Sequence, residues 1–307
     1  MSNGLNRREV LKYAGVAAAG MLASPLARWA GAQSEKTKKI LFFTRSQGFQ
    51  HSAITRPKND PNKLAFAEQW LTDLGKQHNF EVTCSKDGGL FTEEGLAPFD
   101  VIMFYTTGDL DKPLKGNPSP DDINNKPFPP GGKELFLRLI GEGKKGFLGV
   151  HSSADTFDHH PGVDPYIDML GAEFVIHGAQ QDAQIEAVDS NWAPIPNLQT
   201  FTKKEEWYIL KNLAPDMHVL LVQNTKSMKE QRYRDLAPYP ETWARHYKEG
   251  KVFYTSMGHR EDVWQSDIFH KVLLGGLNWV AGNIDAEVKP NIHEVCPGAM
   301  MRPAGAA

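Results

Sequence analysis

Three histidines follow apolar segments of this sequence, at points where a side chain could do chemistry. His51 lies in the loop after the apolar run 40–43, His151 directly follows 146–150, and His259 follows 251–255. If these runs are parallel strands of one sheet, their carboxyl ends share an edge, and open α/β sheets bind ligands there. An imidazole at such an edge can ligate a metal, transfer a proton or bind substrate. The placement therefore predicts that the three histidines converge on one crevice.

The segment Gly149–Ser153 resembles the tight strand-to-helix turn on which α/β hydrolases present their nucleophile. Here the central residue is His151, where a serine or cysteine would be the nucleophile, and Ser152 lies one place further on. A serine hydrolase using Ser152 is thus an alternative to a histidine-based site. Asp155, four residues beyond His151, is predicted either to orient a catalytic imidazole or to cap the start of a helix.

Two further groups complete the candidate site. His177 closes the apolar run 174–176 and is a fourth candidate ligand for a metal, beside the three strand-end histidines. Acidic and aromatic residues adjoin at 205–208 and again at 241–243, a pairing that suits a sugar, although core aromatics beside solvated carboxylates are the common alternative. The residues predicted to bind substrate are His51, Ser152, Glu206, Trp207 and Trp243.

The elements that must position these residues alternate between strands and helices. In the first half, strands are predicted at 39–44, 80–84, 99–106 and 146–150, and helices at 62–77 and 133–143, with a long loop at 109–132. This alternation indicates βαβ units and a mostly parallel sheet. In the second half, strands are predicted at 174–176, 184–188 and 218–223, a hairpin at 243–255, a helix at 266–281 and an extended or partly disordered tail after 283.

The N-terminus has the three parts of a secretory signal. Arg7 and Arg8 lead into Val-Leu-Lys, an apolar run covers 14–23, and Ala30-Gly31-Ala32 supplies small residues for a peptidase. The arginine pair indicates the twin-arginine pathway, and the apolar run is too short to span a bilayer. We therefore expect residues 1–32 to be removed and the mature protein to be periplasmic or secreted, with one α/β domain at 33–283 and a tail at 284–307.

Charge and cysteine content limit the partners of the mature chain. The full chain carries a formal charge of −3, and loss of residues 1–32, which carry four basic groups and one acidic group, leaves −6. This acidic balance gives no reason to expect nucleic acid or an anionic membrane as a partner. Cys84 and Cys296 are the two cysteines, so the chain is not a disulfide scaffold, and either two free thiols or one bridge is open.

At these residues the sequence resembles the trehalose-utilisation (ThuA-like) family. The ordered blocks that carry the resemblance span about 39–281 and are 48–52, 149–156, 171–174 with His177, 206–208, and 242–259. Small departures are Gln50, where the family often has arginine, and Trp207, where phenylalanine is common. The resemblance implies a flavodoxin-like α/β sandwich similar to class I glutamine amidotransferases, which carry cysteine where this chain has His151 and histidine near His259.

The same resemblance implies a role in carbohydrate catabolism, in company with sugar 3-dehydrogenases. The expected ligand is a small carbohydrate, an oxidised (3-keto) glycoside or keto-sugar that is hydrolysed, eliminated or isomerised. A 3-keto group acidifies the C2 proton, so one base near neutral pKa could start an elimination without paired carboxylates. His151 or His259 would be that base, or would hold a divalent metal such as zinc. A non-catalytic sugar-binding module and a serine hydrolase are the alternatives.

The signal segment yields the first testable prediction. Replacing Arg7 and Arg8 together by lysine should stop export, because the arginine pair is the feature that distinguishes the twin-arginine signal. Precursor should then accumulate in the cytoplasm, as measured by immunoblotting of cell fractions. Normal appearance of mature protein outside the inner membrane would contradict the twin-arginine assignment.

Overall fold

A computed structural model describes residues 36–58, 60, 62–114, 125–158 and 160–301, and the predicted signal peptide lies outside these residues. Eleven strands are present in this part of the chain. They are β1 (Lys38–Phe43), β2 (Phe80–Ser85), β3 (Val101–Phe104), β4 (Gly146–Val150), β5 (Glu173–His177), β6 (Gln181–Ala187), β7 (Phe201–Glu205), β8 (Tyr208–Lys211), β9 (His218–Gln223), β10 (Tyr239–Tyr247) and β11 (Gly250–Thr255).

Eight α-helices and several 3₁₀ turns connect these strands over the same residues. The helices are α1 (Phe66–Gln77), α2 (Glu93–Leu96), α3 (Gly132–Gly141), α4 (Pro165–Leu170), α5 (Gln231–Arg234), α6 (Glu261–Trp264), α7 (Asp267–Val280) and α8 (Ile292–Val295). Two of the 3₁₀ turns, Ser52–Ile54 and His151–Asp155, lie beside candidate site residues. Nowhere in the described ranges is a helix both long enough and apolar enough to cross a bilayer.

The main sheet has nine strands in the order β2-β1-β3-β4-β11-β10-β9-β6-β7. The first five are parallel to one another, so β1, β4 and β11 deliver their carboxyl ends to the same edge. Every residue of β3 and β4 is buried, because helices α1, α3, α4 and α7 pack along this half of the sheet. The predicted α/β class with a parallel core is confirmed.

The other half of the sheet is antiparallel. β10 pairs with β11 in the predicted hairpin, and β9, β6 and β7 continue outward. The predicted strand 174–176 belongs instead to a separate two-stranded sheet, β5 with β8. β7 and β8 have no counterpart among the predicted strands. For β7 the reason is its Phe-Thr-Lys-Lys-Glu sequence, which is that of a half-exposed edge strand with little apolar content.

The C-terminal segment is more ordered than its composition indicates. The side chain of Asn291 accepts a hydrogen bond from the Val219 amide and donates one to the Val219 carbonyl, which fixes the segment to β9. Met301 then forms a bridge with Leu213. The segment up to Met301 is thus an extended wrap with one helical turn, α8. Cys84 and Cys296 are both free thiols, and burial raises the pKa of each to about 12.

Close backbone approach at the start of β4 gives a stability prediction. A methyl group on Gly146 would lie 2.2 Å from the carbonyl oxygen of Val280, a backbone atom that cannot move aside cheaply. Gly146→Ala should therefore lower the free energy of unfolding by about 3 kcal/mol, measured by urea denaturation. Gly282→Ala is the control, since it meets no atom within 4 Å and costs only its left-handed backbone, about 1 kcal/mol. Equal losses in the two variants would contradict this account.

Candidate functional site

His151 occupies the tight turn that follows β4. Its φ of +44° is in the left-handed region, which is strained for a residue with a side chain and is typical of functional turns. Two hydrogen bonds hold it there: Tyr254 Oη donates to the His151 carbonyl at 2.8 Å, and His151 Nδ1 lies 2.7 Å from the Ser256 carbonyl. Because a carbonyl only accepts, the neutral ring carries its proton on Nδ1 and its lone pair on Nε2.

His51 and His259 reach the same place from β1 and β11, which are separated by β3 and β4 in the sheet. The ring centroid of His51 lies 4.9 Å from that of His151 and 5.0 Å from that of His259. Tyr105, which follows β3 between them, has its ring 5.3 Å from that of His51 and donates its hydroxyl to the Gly258 carbonyl. The three strand-end histidines therefore converge as the sequence predicts.

Glu206 is the acidic group at the centre of these histidines. It lies between β7 and β8, and its side chain is 10% exposed. Its Oε2 atom is 3.5 Å from His151 Nε2 and 3.1 Å from His259 Nδ1, while Oε1 is 3.3 Å from His177 Nδ1. The contacts to Oε2 have ion-pair distances, but neither nitrogen is aligned for a good hydrogen bond. One carboxylate thus faces three imidazoles.

A second buried carboxylate, that of Glu205, fixes the backbone segments that carry Glu206 and His259. It accepts hydrogen bonds from the backbone amides of Glu206, Gly258 and His259 at 2.8–3.1 Å. It therefore joins the end of β7 to the loop after β11. Burial raises the pKa of Glu205, while nearby His151 and the donated amide hydrogens oppose that shift.

The carboxylate of Glu241 also fixes backbone beside the site, and it is fully buried. Its Oε1 atom accepts from the Ser256 hydroxyl, the Thr255 hydroxyl and the Met257 amide. This fixes the 255–257 segment, whose Ser256 carbonyl sets the tautomer of His151. Complete burial raises the pKa of Glu241 to about 7, and its hydroxyl and amide donors hold that rise in check.

The pKa values of the cluster residues are shifted in different directions. Burial, reinforced by His151 and His259, lowers the pKa of His51 well below its usual range, so this imidazole is neutral. Burial opposes charge on Glu206, but the nearby imidazoles of His151 and His259 outweigh it and lower its pKa. Burial likewise disfavours the charged form of His259, yet Glu206 raises its pKa above the usual value. The site therefore combines an ionised carboxylate with at least one neutral imidazole.

The donor set fits a divalent cation. One ligand atom from each of His51, His151, Glu206 and His259 lies within 4.8 Å of the others. His51 Nδ1, His151 Nε2 and His259 Nδ1 are buried ring nitrogens with no hydrogen-bond partner among the described residues. Because Nε2 of neutral His151 points a lone pair toward an ionised carboxylate, the two repel unless a cation or an added proton lies between them. Imidazole and carboxylate together are ligands that zinc and similar divalent metals accept.

His259 differs from the other two histidines. Arg260 donates to the side-chain oxygen of Gln180 at 2.7 Å, which directs the Gln180 amide nitrogen to His259 Nε2, 2.8 Å away. The amide donates there, so the proton of neutral His259 lies on Nδ1, facing Glu206. The set that can bind a cation with the fewest changes is therefore His51, His151 and Glu206, with His259 Nδ1 facing the carboxylate from outside at 3.1 Å.

Comparison with known families identifies this chain. The model of the family described as ThuA, trehalose utilisation, matches residues 39–280. The chain belongs to the ThuA family. The resemblance that the motif blocks indicate is thereby confirmed, and with it the class I glutamine amidotransferase-like fold.

Solved structures agree with the ThuA fold at low sequence identity. A ThuA-like protein from Parabacteroides merdae is 14% identical, with a TM-score of 0.59 over 83% of this chain and 93% of that one. A ThuA-like protein from Bacteroides uniformis is 16% identical, with a TM-score of 0.55 over 80% of this chain and 91% of that one. A search of curated proteins finds no match. At these identities the likeness concerns the fold alone.

Two residues predicted to bind substrate are core residues of this ThuA fold. Trp207 is 0% exposed and donates its indole N–H to the Gln181 carbonyl. Trp243 is also 0% exposed, donates to the Leu170 carbonyl and packs 4.3 Å from the ring of Tyr254. The prediction of substrate contact is wrong for both, because neither ring face reaches the crevice. The common alternative, aromatic residues of the core, holds here.

Ser152 and Asp155 also differ from their predicted roles. Ser152 is 0% exposed, and its hydroxyl has no hydrogen-bond partner in the described part of the chain, so no histidine activates it as a nucleophile. Asp155 hydrogen-bonds Asp158 rather than an imidazole. Burial and that second carboxyl raise the pKa of Asp155 to about 8. Ser256 and Gln180, which the sequence analysis did not single out, orient the imidazoles instead.

His177, predicted as a metal ligand, lies outside the four-atom group. It contacts the Oε1 atom of Glu206, on the side away from His151 and His259, and its side chain is 42% exposed. Its Nδ1 lies 2.9 Å from the Gly178 carbonyl, so the neutral ring carries its lone pair on Nε2. The small sheet brings His177 to this position by pairing it with Tyr208, whose ring packs 4.2 Å from that of His151.

The buried position of Trp243 yields a prediction. Trp243→Phe should lower the free energy of unfolding by about 1–3 kcal/mol, because it leaves the buried Leu170 carbonyl without its donor. Zinc uptake should equal that of the unsubstituted protein, as measured by equilibrium dialysis. Unchanged stability combined with weaker sugar binding would instead show that Trp243 binds substrate.

Proposed function

We propose that this ThuA-family protein is a metal-assisted enzyme of carbohydrate catabolism, acting on 3-keto glycosides or keto-sugars. The observation that carries the proposal is the buried cluster of His51, His151, His259 and Glu206, in which one ring nitrogen of each histidine has no hydrogen-bond partner among the described residues. Unsatisfied buried polar groups are costly and are kept for a function. The description of the family as trehalose utilisation supports a carbohydrate as the substrate.

In this proposal His51, His151 and Glu206 hold a divalent metal such as zinc. Two atoms bound to one zinc ion at about 2.0–2.2 Å lie no more than about 4.4 Å apart, so side-chain shifts below about 1 Å complete the set. His259 and His177 then hydrogen-bond Glu206 from outside, as groups around metal ligands commonly do. When bound, the metal supplies a Lewis acid that polarises the sugar ketone.

His177 is the base that we propose for removal of the C2 proton. Both ring nitrogens of His151 and of His259 are directed at groups inside the cluster, whereas His177 keeps a lone pair on Nε2 of a half-exposed side chain. The proton next to the 3-keto group passes to Nε2. The C1–O bond then breaks as C1=C2 forms, and the leaving oxygen takes up a proton. Addition of water to that double bond completes a net hydrolysis.

The cellular setting is part of the proposal. The Arg7-Arg8 signal would carry the protein, already folded, to the periplasm or the medium, where no nucleic acid or membrane partner is needed. A buried metal cluster suits that pathway, because ligands from β1, β4 and the segment after β7 come together only in the folded chain. A small carbohydrate would then be the partner of the mature protein.

The decisive test uses mature protein purified without a histidine tag. Metal content by mass spectrometry and turnover of 3-keto-trehalose, beside unmodified trehalose, are measured together. His151→Ala should lose both metal and activity. His177→Gln should keep the metal but lose activity by a factor of about 10²–10⁴, the share of a general base.

Ser152→Ala is the matched control in the same turn, and it should keep most of the activity because the Ser152 hydroxyl is buried and has no hydrogen-bond partner in the described part of the chain. Loss of activity in this variant, with covalent labelling by a serine-directed inhibitor, would overturn the proposal in favour of a serine hydrolase. Binding of 3-keto-trehalose without any turnover would favour a non-catalytic sugar-binding module.

A further inference from the structure

Large apolar side chains that are exposed concentrate around the histidine cluster. In the described residues four such side chains occur: Phe49, Val175, Ile176 and Met300. The first three lie within two residues of His51 or His177, both of which belong to or adjoin the cluster. Phe49 is the most exposed, at 67%. We call Phe49, Val175 and Ile176 the apolar rim because they adjoin the cluster residues in the chain, and Phe49 is the one whose ring contacts a cluster histidine.

Phe49 is exposed on a loop whose backbone is held by hydrogen bonds. The Gln47 amide donates to the Thr107 carbonyl at 2.9 Å, and the Thr107 hydroxyl donates back to the Phe49 carbonyl at 2.8 Å. Gly48 permits this close contact between the Phe49 loop and Thr107, since a methyl group there would lie 3.3 Å from the Thr107 hydroxyl. Holding a phenyl ring in water contributes little to folding, and an exposed aromatic ring beside a polar cluster offers a ligand an apolar face to cover.

The ring of Phe49 stands next to the proposed metal ligands. Its centroid lies 4.9 Å from that of His51, and the two rings are nearly perpendicular, at 86°. A molecule packed on Phe49 is therefore close enough to contact His51 as well. A pyranose is suited to this corner, because its C–H groups form an apolar face and its oxygen substituents project from the edge.

We propose that Phe49 is the platform on which the apolar face of a pyranose ring packs while the ring oxygens face the histidine cluster. This inference rests on the proposed function, since it assigns the keto-sugar a place in the same site. It makes Phe49 a substrate-binding residue for a pyranose ring. A second copy of this chain, docked through the same apolar residues, is the competing occupant.

The experiment compares Phe49→Ala, Phe49→Tyr and the control Met300→Ala in the zinc-loaded mature protein. The probe is methyl 3-keto-α-glucopyranoside, with the dissociation constant from calorimetry and KM and kcat from turnover. Phe49→Ala should raise the dissociation constant and KM by about 3- to 10-fold, the strength of one aromatic contact, with kcat within about threefold. Phe49→Tyr and Met300→Ala should match the unsubstituted protein.

Proton NMR adds a signature that a merely structural role would not produce. The C–H resonances of the bound sugar should shift upfield above the phenyl ring, in the unsubstituted protein and in Phe49→Tyr but not in Phe49→Ala. Metal content and melting temperature should be equal in all variants. A fall in either for Phe49→Ala would overturn the platform in favour of a structural role.

Two outcomes separate this inference from the proposed function. Turnover of the keto-sugar with the same KM in Phe49→Ala would end the platform and leave the enzyme standing. Sugar binding that depends on Phe49 without turnover would support the platform and end the enzyme. Self-association of the unsubstituted protein that Phe49→Ala abolishes, measured by sedimentation, would assign the rim to contact between copies and overturn the inference.

Discussion

The burial of one ionised carboxylate, that of Glu206, is the constraint on which the site depends. A charge held at 10% exposure must be compensated, and the fold supplies His151 and His259 on one oxygen and His177 on the other. These partners come from β4, from the loop after β11 and from the small sheet. The charge therefore couples three separate parts of the chain, and any account of the function has to explain why it is kept.

The groups around Glu206 are fixed by a second layer of buried acids. Glu205 collects three backbone amides where β7 and the loop after β11 meet, and Glu241 collects three hydroxyls and an amide just before that loop. Each uses hydrogen bonds to hold backbone rather than to meet a ligand. The left-handed backbone of His151 is tolerated because hydrogen bonds hold the residue in place. Tyr254 donates to its carbonyl, and the Ser256 carbonyl binds its ring.

The amidotransferase-like fold explains where the chemistry sits but not what it is. The turn after β4 carries His151 at the position where the resemblance to class I glutamine amidotransferases implies a cysteine, and the adjacent Ser152 is buried, with no hydrogen-bond partner for its hydroxyl among the described residues. The group at this edge of the sheet is thus an imidazole, which can ligate a cation, in place of the implied thiol. This change favours metal-assisted chemistry on a polarised carbonyl over acyl transfer, and the apolar rim at Phe49 suits a ring-shaped substrate.

Periodicity and position in the sequence were enough to predict the parallel core, the β10–β11 hairpin and the convergence of His51, His151 and His259. These follow from local patterns, because buried parallel strands have continuous apolar runs and their carboxyl ends share an edge. The roles of Trp207 and Trp243 could not be predicted, since the sequence pattern of an aromatic residue beside an acidic one is identical for a side chain that faces a crevice and for one that faces the core. Orientation is set by long-range partners, the carbonyls of Gln181 and Leu170. Likewise only the tertiary structure decided that Ser256 and Gln180 fix the imidazoles, because these contacts join residues 79 and 105 positions apart in the chain.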